Sequence, residues 1–336
     1  MQASISPLKS LMTNSFSVPC KPLLQWYRAN LRELPWRHTS DPYQIWVSEI
    51  MLQQTQVKTV LPRYQQWFQL FPSIQHLAVA PLDDVLKAWE GLGYYRRARF
   101  IHAAAQQIIA KHDGVFPEQF DAIVNLPGIG KSTAGAIASF CFDMNTPVLD
   151  GNVKRVLKRW HELPEATDKQ LWRLAQTAID TSQKFATWNQ AMMELGATMC
   201  QAHRAQCDDC PVSKHCKSAF SNIEKQPSNK KKTAVKDVFW QINLHTHPDK
   251  GLWLQQRPNK GIWASLWTPP IIELDTRPNV EPCYIHLLTH RRLHLYTIQS
   301  KSEPVSKGRW VTDITDLALP TGIHRLLSKY HINTMG

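Results

Sequence analysis

The chain has 336 residues, 43% hydrophobic and 10% aromatic, which is enough for two domains with real cores. Its 39 Lys and Arg against 27 Asp and Glu give a formal net charge of +12, which favours a polyanionic partner, nucleic acid before a membrane surface. No run approaches the ~18 apolar residues of a membrane helix, and the first residues lack the apolar core of a secretion signal. We therefore expect a chain without membrane contact, cytoplasmic and nucleoid-associated if it is bacterial.

Three stretches of different composition follow one another along the chain. Residues 1–220 show a helical pattern, with apolar residues three and four apart as in Leu23, Leu24 and Tyr27. Residues 221–236 are polar and lysine-rich and are predicted to be a linker. Residues 237–336 contain short aromatic and β-branched runs, then a short helix near Gly322–Tyr330. The pattern predicts a mainly α region followed by a mixed α/β or mostly β domain.

The stretch LPGIGKSTAG, Leu126 to Gly135, has the glycines and the Lys-Ser pair of a nucleotide-binding loop. Such a loop needs its first glycine five residues before Gly130, and that position is Asn125. The preceding FPEQFDAIVN spaces its apolar residues as a helix does, not as a buried strand. Gly128 and Gly130 are therefore predicted to join two helices, which argues against an NTPase.

Four cysteines lie close together in the spacing C-x6-C-x2-C-x5-C, at Cys200, Cys207, Cys210 and Cys216. In a chain that is not secreted, such a group predicts a metal site more than disulfides. Zinc and a [4Fe–4S] cluster both accept four thiolates; the spacing alone leaves both open, and the compact loop favours iron–sulfur. Because protein would fill every coordination position, we expect a structural or redox-poising role.

Two carboxylates have settings that suit acid–base chemistry. Glu49 shares a helix face with Ile45, Trp46 and Leu52, where burial disfavours its charged form and suits a general acid; an ion pair with an arginine is the alternative. Asp150 precedes the helical stripe of VKRVLKRW, where it is an N-cap or a carboxylate kept ionised by the helix dipole. One protonated and one charged carboxyl is the arrangement that breaks glycosidic bonds.

Taken together, the motifs resemble a known family. LPGIGKSTAG, PVLDGNVKRV and the cysteine spacing are similar to the iron–sulfur branch of the helix-hairpin-helix DNA glycosylases. VSEIMLQQTQV, GLGYYRRAR and NQAMMELGA resemble one family within it, the adenine DNA glycosylases (MutY). The resemblance is dense from Leu23 to Cys216 and continues weakly through QRPNKGIWASLWTPP. It implies a mainly α catalytic region with an iron–sulfur loop and an α+β, Nudix-like C-terminal domain.

The resemblance also implies a reaction and the residues that perform it. Glu49 would protonate adenine at N7 and then handle the water, Asp150 would stabilise the oxocarbenium-like sugar, and Asn152 would orient that site. Glu194 either supports this site or forms a plain ion pair.

The resemblance also implies where the protein contacts DNA. The hairpin would present backbone N–H groups to DNA phosphate, often with a bound monovalent cation. The implied DNA contacts are Trp36, Arg37, Gln53, Gln54, Thr55, Leu92, Gly93, Tyr94, Gly128, Gly130, Lys131, Ser132 and Lys154. The basic residues expected to attract the DNA backbone are Arg96, Arg97, Arg99, Lys154, Arg155, Lys158 and Arg159.

One position separates hydrolysis from strand cleavage. Bifunctional relatives carry a nucleophilic lysine directly after the hairpin's basic residue, and here that position is Ser132. Lys131 precedes it and, on a helix, points about 100° away. Hydrolysis by water that leaves an abasic site is therefore expected, with Lys154 able to support only adventitious Schiff-base chemistry.

The C-terminal domain lacks the R-E-x-x-E-E helix of a Nudix hydrolase, so we expect a recognition module. In the resembled family an F-S-H segment senses 8-oxoguanine opposite the adenine. The nearest match here is Leu288, Thr289 and His290, in which leucine replaces the aromatic residue.

The main hypothesis is a monofunctional adenine DNA glycosylase with one [4Fe–4S] cluster, a monomer acting on adenine paired with 8-oxoguanine or guanine in double-stranded DNA. An endonuclease III-like lyase on oxidised pyrimidines is the alternative, against which Ser132 and the C-terminal domain speak. A third hypothesis is a DNA-binding protein without catalysis, against which Glu49 and Asp150 speak. Contacts with a DNA clamp or a mismatch-repair protein are conceivable.

Overall fold

The computed structural model describes residues 19–221, 234–300, 304 and 307–330; residues 222–233 of the predicted linker lie outside them. The helical part ends in a π-turn at Leu195–Met199 and the cysteine loop, and short 3₁₀ turns lie at Pro35–Arg37 and Ser213–His215. In chain order the α-helices are α1 (Cys20–Asn30), α2 (Pro42–Leu52), α3 (Val57–Leu70), α4 (Ile74–Val79), α5 (Leu82–Ala88), α6 (Arg96–Lys111), α7 (Phe120–Val124), α8 (Lys131–Phe142), α9 (Gly151–His161), α10 (Asp168–Ser182), α11 (Phe185–Glu194) and α12 (Thr321–Lys329). The strands are β1 (Lys236–His247), β2 (Gly251–Gln256), β3 (Trp267–Thr268), β4 (Ile271–Leu274), β5 (Tyr284–Leu287), β6 (Arg291–Ser300) and β7 (Arg309–Val311).

The chain divides into two compact units. Among the described residues, the first takes the chain up to Trp46, Pro117–Asn125 and the stretch from Ile129 through the cysteine loop. The second takes Val47–Phe116, Leu126–Gly128 and the C-terminal sheet. The boundary between the two units falls inside α2, and the second unit combines helices with the C-terminal sheet. The two compact units are therefore not the same division as the sequence-predicted domains. The domain boundaries predicted from the sequence stay a prediction.

The core of the first unit is built on α9, whose apolar residues recur at helical spacing. Val153, Val156, Leu157 and Trp160 are each at most 3% exposed, as their spacing predicts. They pack in one cluster with buried residues of α1, α10 and α11. This packing holds the first residues of α9 in place, and those residues form part of the candidate site.

The helices of the second unit bury large aromatic and small side chains. Trp67 and Trp89 are fully buried and meet edge to face, with ring centroids 5.6 Å apart. Asp83 of α5 joins these helices to the sheet of the same unit, because it accepts hydrogen bonds from Gln256 Nε2 (2.7 Å) and Trp267 Nε1 (3.0 Å). Within the second unit, helix α5 and the sheet are therefore joined by polar contacts.

The C-terminal sheet is mixed, in the order β3-β2-β1-β6-β5, with β4 on β1 and β7 on β2. β1 and β6 run parallel, and the other neighbours are antiparallel. Alternate residues of β1, Trp240, Ile242 and Leu244, are 0% exposed and pack in one core with α12. The predicted combination of strands and a final short helix is confirmed. In the parts of the chain that the structure describes, no helix has the length and apolar character needed to cross a membrane.

Candidate active site

Glu49 lies one turn from the end of α2, in a segment that is buried on both sides. Ser48 is 1% exposed and Ile50 is 3% exposed, whereas Glu49 is half-buried and has an interaction partner within the protein. Trp46, one turn earlier, is 0% exposed. Glu49 therefore lies in a well-packed part of the helix and keeps partial contact with solvent, and its role as the general acid stays a prediction.

Two loops predicted to touch DNA lie side by side in the second unit. The Thr55 hydroxyl donates to the Leu92 carbonyl, at 3.4 Å. Gln54, Gly93 and Tyr94 have φ values of 56°, 67° and 47°, which is uncommon backbone for residues other than glycine. Gln54 and Tyr94 are both exposed, Tyr94 by 47%. The structure thus brings these predicted contact residues together and turns two of them outward.

Arg97 is a buried residue that is bonded to both loops. Arg97 is only 8% exposed and donates hydrogen bonds to backbone carbonyls of both loops, so the prediction that it attracts the DNA backbone is wrong. Burial lowers the pKa of its guanidinium to about 10. A signal was available in the sequence, because Arg97 lies on the same face of α6 as buried Ile101, Ala104 and Ile108.

Asp150 is the N-cap of α9, as predicted. Its Oδ1 accepts a hydrogen bond from Val153 N at 2.7 Å, and its Oδ2 accepts one from Asn152 Nδ2 at 3.0 Å. Asn152 Oδ1 in turn accepts from Arg155 Nη2 at 2.9 Å, which fixes the orientation of the amide. The start of the helix favours a negative charge at this position. The carboxylate is therefore held in one orientation at the start of the helix.

The glycine hairpin joins α7 and α8, as predicted, and two of its glycines differ in their roles. Gly128 has φ 79°, and a Cβ there would lie 2.6 Å from Phe100 Cβ, so only glycine fits. Gly130 caps α8 without a side-chain hydrogen bond, and space around its Cα is open. The first N–H groups of α8 are therefore not covered by a capping side chain, as phosphate binding requires.

Ser132 supports the segment that leads to Asp150. Its Oγ accepts a hydrogen bond from Leu149 N at 3.1 Å. The position that carries a lysine in the bifunctional relatives thus holds a half-buried hydroxyl with a structural partner.

The two lysines near this site each have a neighbour in the first unit. Lys131 Nζ lies 4.4 Å from the centroid of the Trp172 ring, a cation–π contact. Lys154 Nζ contacts both carboxylate oxygens of Asp168, at 2.7 and 2.8 Å. Each of the two amines is therefore engaged by a neighbouring side chain of the first unit.

Buried Glu194 pairs with two arginines, of which Arg37 has a buried side chain and Arg32 is half-exposed. Glu194 is 1% exposed, and its oxygens accept from Arg32 Nε (2.7 Å) and Arg37 Nη2 (2.5 Å). Burial acts to raise the pKa of Glu194, but the two arginines outweigh it and lower the pKa. The Arg37 side chain is only 9% exposed and is bonded to Glu194, so its guanidinium faces the protein interior and not a DNA strand.

The four clustered cysteines surround one small cavity in the first unit. Cys200, Cys207, Cys210 and Cys216 all line it, and none of them is in a disulfide. Within the described residues, no group of three or more His, Cys, Asp or Glu side chains converges on a point that would hold a single metal ion. Four thiols that line one cavity are the donor set that a [4Fe–4S] cluster would need. The residues present therefore fit such a cluster.

Two arginines of α9 hold the cysteine loop. Arg155 Nε donates to the Cys200 carbonyl at 2.9 Å. Arg159 is 7% exposed and donates to Cys200 Sγ at 3.3 Å and to the Gln201 carbonyl at 2.7 Å. The prediction that Arg159 attracts the DNA backbone is therefore wrong. The helix that begins at Asp150 is instead tied to the cysteine loop.

The predicted reader of 8-oxoguanine occupies the turn between β5 and β6. The turn closes with a hydrogen bond from Leu288 N to the Arg291 carbonyl at 2.8 Å. Leu288 packs against the core of the sheet, whereas Thr289 and His290 are exposed. The Thr289 and Tyr94 hydroxyls form a hydrogen bond, so the turn touches the loop before α6.

A broad cleft in the second unit opens beside this contact. It runs between the start of α6 and the β5–β6 hairpin, and none of the described residues that line it is acidic. Its walls combine cations with aromatic rings, which suits a nucleic-acid strand. The basic and aromatic lining residues are Arg96, Arg99, Lys260, Arg291, Arg325, Tyr94, Tyr95, Phe100, Trp263 and Tyr284.

Comparison with known proteins gives a consistent result. Residues 47–180 match the family model "HhH-GPD superfamily base excision DNA repair protein". An adenine DNA glycosylase of Buchnera aphidicola subsp. Baizongia pistaciae is 42% identical over 257 residues, 74% of this chain and 72% of that protein. An adenine DNA glycosylase of Buchnera aphidicola subsp. Acyrthosiphon pisum is 35% identical over 344 residues, 93% of this chain and 97% of that protein.

Among solved structures, a thermostable thymine-DNA glycosylase superposes with a TM-score of 0.56 at 28% identity, over 60% of this chain and 94% of that one. The similarity to the Buchnera aphidicola protein from subsp. Acyrthosiphon pisum, by contrast, extends along nearly the whole of both chains. Since the similarity to adenine DNA glycosylases covers both the helical region and the C-terminal sheet, the chain belongs to the adenine DNA glycosylase family of the helix-hairpin-helix superfamily.

Proposed function

We propose that the protein hydrolyses the N-glycosidic bond of adenine mispaired with 8-oxoguanine or guanine in double-stranded DNA and leaves an abasic site. One observation carries the proposal: Asp150 is fixed at the start of α9 by Val153 N and the Asn152 amide. A carboxylate held in this way is suited to the positive charge that develops on the sugar as a glycosidic bond breaks. This reaction is a step of base excision repair.

Glu49 is proposed as the general acid. The adenine anion is a poor leaving group, so the base must be protonated on its ring before the bond breaks. N7 is the proposed site of protonation once the base has left the stack. The half-buried position of Glu49, with Ser48 and Ile50 buried on either side of it in the chain, supports this role, because its carboxyl is neither sealed in the core nor fully solvated. After the base departs, the resulting carboxylate can take a proton from the attacking water.

Hydrolysis without strand cleavage follows from what stands near Asp150. Ser132 supplies a hydroxyl that is bonded to Leu149 N, and a serine cannot form a Schiff base. Lys131 Nζ lies over the Trp172 ring, and Lys154 Nζ pairs with Asp168. These contacts support a monofunctional enzyme and speak against the endonuclease III-like alternative.

DNA contacts are proposed at two places: the glycine hairpin, which the sequence predicts, and the cleft of the second unit, which the structure adds. The uncapped N–H groups at the start of α8 would bind a phosphate, and the acid-free cleft of the second unit would bind a strand. The exposed Thr289 and His290, beside Tyr94, are proposed to read the purine opposite the adenine. Because Leu288 packs into the sheet, the reading would depend on hydrogen bonds more than on an apolar wedge.

Cys200, Cys207, Cys210 and Cys216 are proposed to hold one [4Fe–4S] cluster. When bound, the cluster supplies a structural crosslink of four thiolates. Arg155 and Arg159 belong to α9, and both donate hydrogen bonds to backbone carbonyls of the cysteine loop. A loop held by the cluster would therefore also restrain α9. The loop would thereby help to fix the helix that carries Asp150 at its start.

The test is a single-turnover assay on a labelled duplex that carries adenine opposite 8-oxoguanine, with half of each time point heated in alkali. We expect strand scission only after alkali. Glu49→Gln and Asp150→Asn should abolish base release and leave duplex binding intact. Scission without alkali would mean a lyase, and a bound duplex without any product would refute the adenine assignment.

A further inference from the structure

We infer that Arg97 is a positioning residue for base excision: its guanidinium holds the two DNA-facing loops and the end of the Glu49 helix in one arrangement. The inference rests on the proposed function, because these three segments need a common arrangement only if the chain acts on a base in duplex DNA. All three segments and Arg97 belong to the second unit.

One terminal nitrogen of the guanidinium closes the end of α2. Arg97 Nη1 donates to the carbonyls of Ile50 (2.7 Å), Met51 (2.9 Å) and Gln53 (2.7 Å). The last carbonyls of a helix have no intrahelical donor, and a cation there offsets their partial negative charge. Glu49 directly precedes Ile50, so the same contacts fix the turn that carries the proposed acid.

The other terminal nitrogen serves the second loop. Arg97 Nη2 donates to Thr55 Oγ1 (3.0 Å), to the Leu92 carbonyl (2.8 Å) and to the Gly93 carbonyl (3.2 Å). Thr55 belongs to the loop after α2, whereas Leu92 and Gly93 belong to the loop before α6. One rigid group therefore spans both loops.

The loops need such a group because their backbone is unusual. Gln54 and Tyr94 have positive φ, a conformation that persists in non-glycine residues only where the surroundings hold it. The Arg97 guanidinium also lies 5.7 Å from the centroid of the Tyr94 ring, on the protein side of that exposed residue. Both outward-facing residues are thus supported from behind by the same side chain.

A lysine cannot replace this arrangement. The guanidinium is planar and places two nitrogens in a fixed fork, whereas an ammonium is a single point with three donors. Here the four N–H bonds of the two terminal nitrogens meet six acceptors, so some bonds are shared. Arg97→Lys should keep the charge and lose the bridge between the loops.

The experiment compares Arg97→Lys and Arg97→Gln with wild type and with Arg173→Lys, a control at an exposed position of α10. Circular dichroism establishes that each variant is folded. The duplex carries adenine opposite 8-oxoguanine and 2-aminopurine next to the adenine, because 2-aminopurine fluorescence rises when the stack opens. Single-turnover base release is measured at saturating enzyme on the same duplex.

Since a misplacement of about 1 Å can cost about 100-fold in rate, we expect that loss for Arg97→Gln and about 10-fold for Arg97→Lys. The fluorescence rise per bound duplex should shrink in parallel, and Arg173→Lys should match wild type. A residue that only stabilised the fold would change the melting temperature and leave the fluorescence rise unchanged.

Thr55→Val keeps the shape of the side chain, removes one acceptor, and provides a second test if the Arg97 variants do not fold. It should show a partial loss of both signals. Folded variants with wild-type rate and wild-type fluorescence would overturn the inference. If wild type itself releases no adenine, the proposed function fails instead, and the fluorescence rise still tests whether Arg97 holds the loops.

Discussion

Gly196→Ala tests how closely the π-turn must approach the start of α9. A Cβ at Gly196 would lie 2.6 Å from Asn152 Cβ and 3.1 Å from two Asn152 backbone atoms. Backbone atoms of a packed helix cannot turn aside, so the two segments must separate. Overpacking of this kind costs about 1–3 kcal/mol. At about 2–4 °C per kcal/mol for a protein of this size, the midpoint of thermal unfolding should fall by about 2–12 °C.

The same displacement should lower activity, because Asn152 Nδ2 donates to Asp150 and would carry the carboxylate out of position. A shift of about 1 Å can cost about 100-fold in the single-turnover rate. Gly151→Ala is the matched control for stability, since a Cβ there meets nothing within 4 Å and should leave the unfolding midpoint unchanged or slightly higher. A Gly196→Ala protein with the wild-type midpoint and the wild-type rate would refute the close-approach reasoning.

Three further substitutions probe other parts of the molecule. Glu194→Gln removes the charge that pairs with half-exposed Arg32 and the buried side chain of Arg37 and should lower the free energy of unfolding in urea at pH 7 by about 1–3 kcal/mol, because an unpaired buried charge is left at Arg37 while solvent screens Arg32. Because the arginines lower the pKa of Glu194, its contribution is complete above the unfolded pKa of about 4.3 and is lost as the pH falls further, so the variant should show a shallower acid limb; an identical limb would contradict this. Ser132→Lys should yield a protein–DNA adduct on borohydride reduction that wild type does not give, and its absence would show that the serine alone does not prevent lyase chemistry. Cys210→Ala should remove iron from the purified protein and lower its melting temperature, whereas zinc without iron in wild type would refute the iron–sulfur assignment.

Features set by neighbouring residues could be predicted from the sequence. The stripe of α9 and the N-cap at Asp150 both follow from residues three and four apart, and the structure has both. The two glycines of the hairpin likewise predicted a junction between helices, because no strand pattern precedes them, and the structure has that junction. Each of these inferences needed a window of about one helical turn, within which the periodicity of a helix operates.

Roles of charged residues could not be predicted in the same way. Arg97 and Arg159 look like surface charges in a basic chain, yet the structure buries both and gives them backbone carbonyls as partners. Arg37 pairs with Glu194, which is 157 positions away along the chain. The sequence around an arginine does not specify which carbonyl or carboxylate its guanidinium will contact.

The sequence by itself determined the family, the mainly α and α+β architecture, the four clustered cysteines and the two candidate carboxylates, because spacing along the chain encodes periodicity, caps and short ligand motifs. Only the tertiary structure decided that Arg97 and Arg159 are buried and bonded to backbone carbonyls. It also decided that Thr289 meets Tyr94, since that contact joins residues 195 positions apart. Burial and pairing of charges depend on packing between distant segments, and local sequence does not specify that packing.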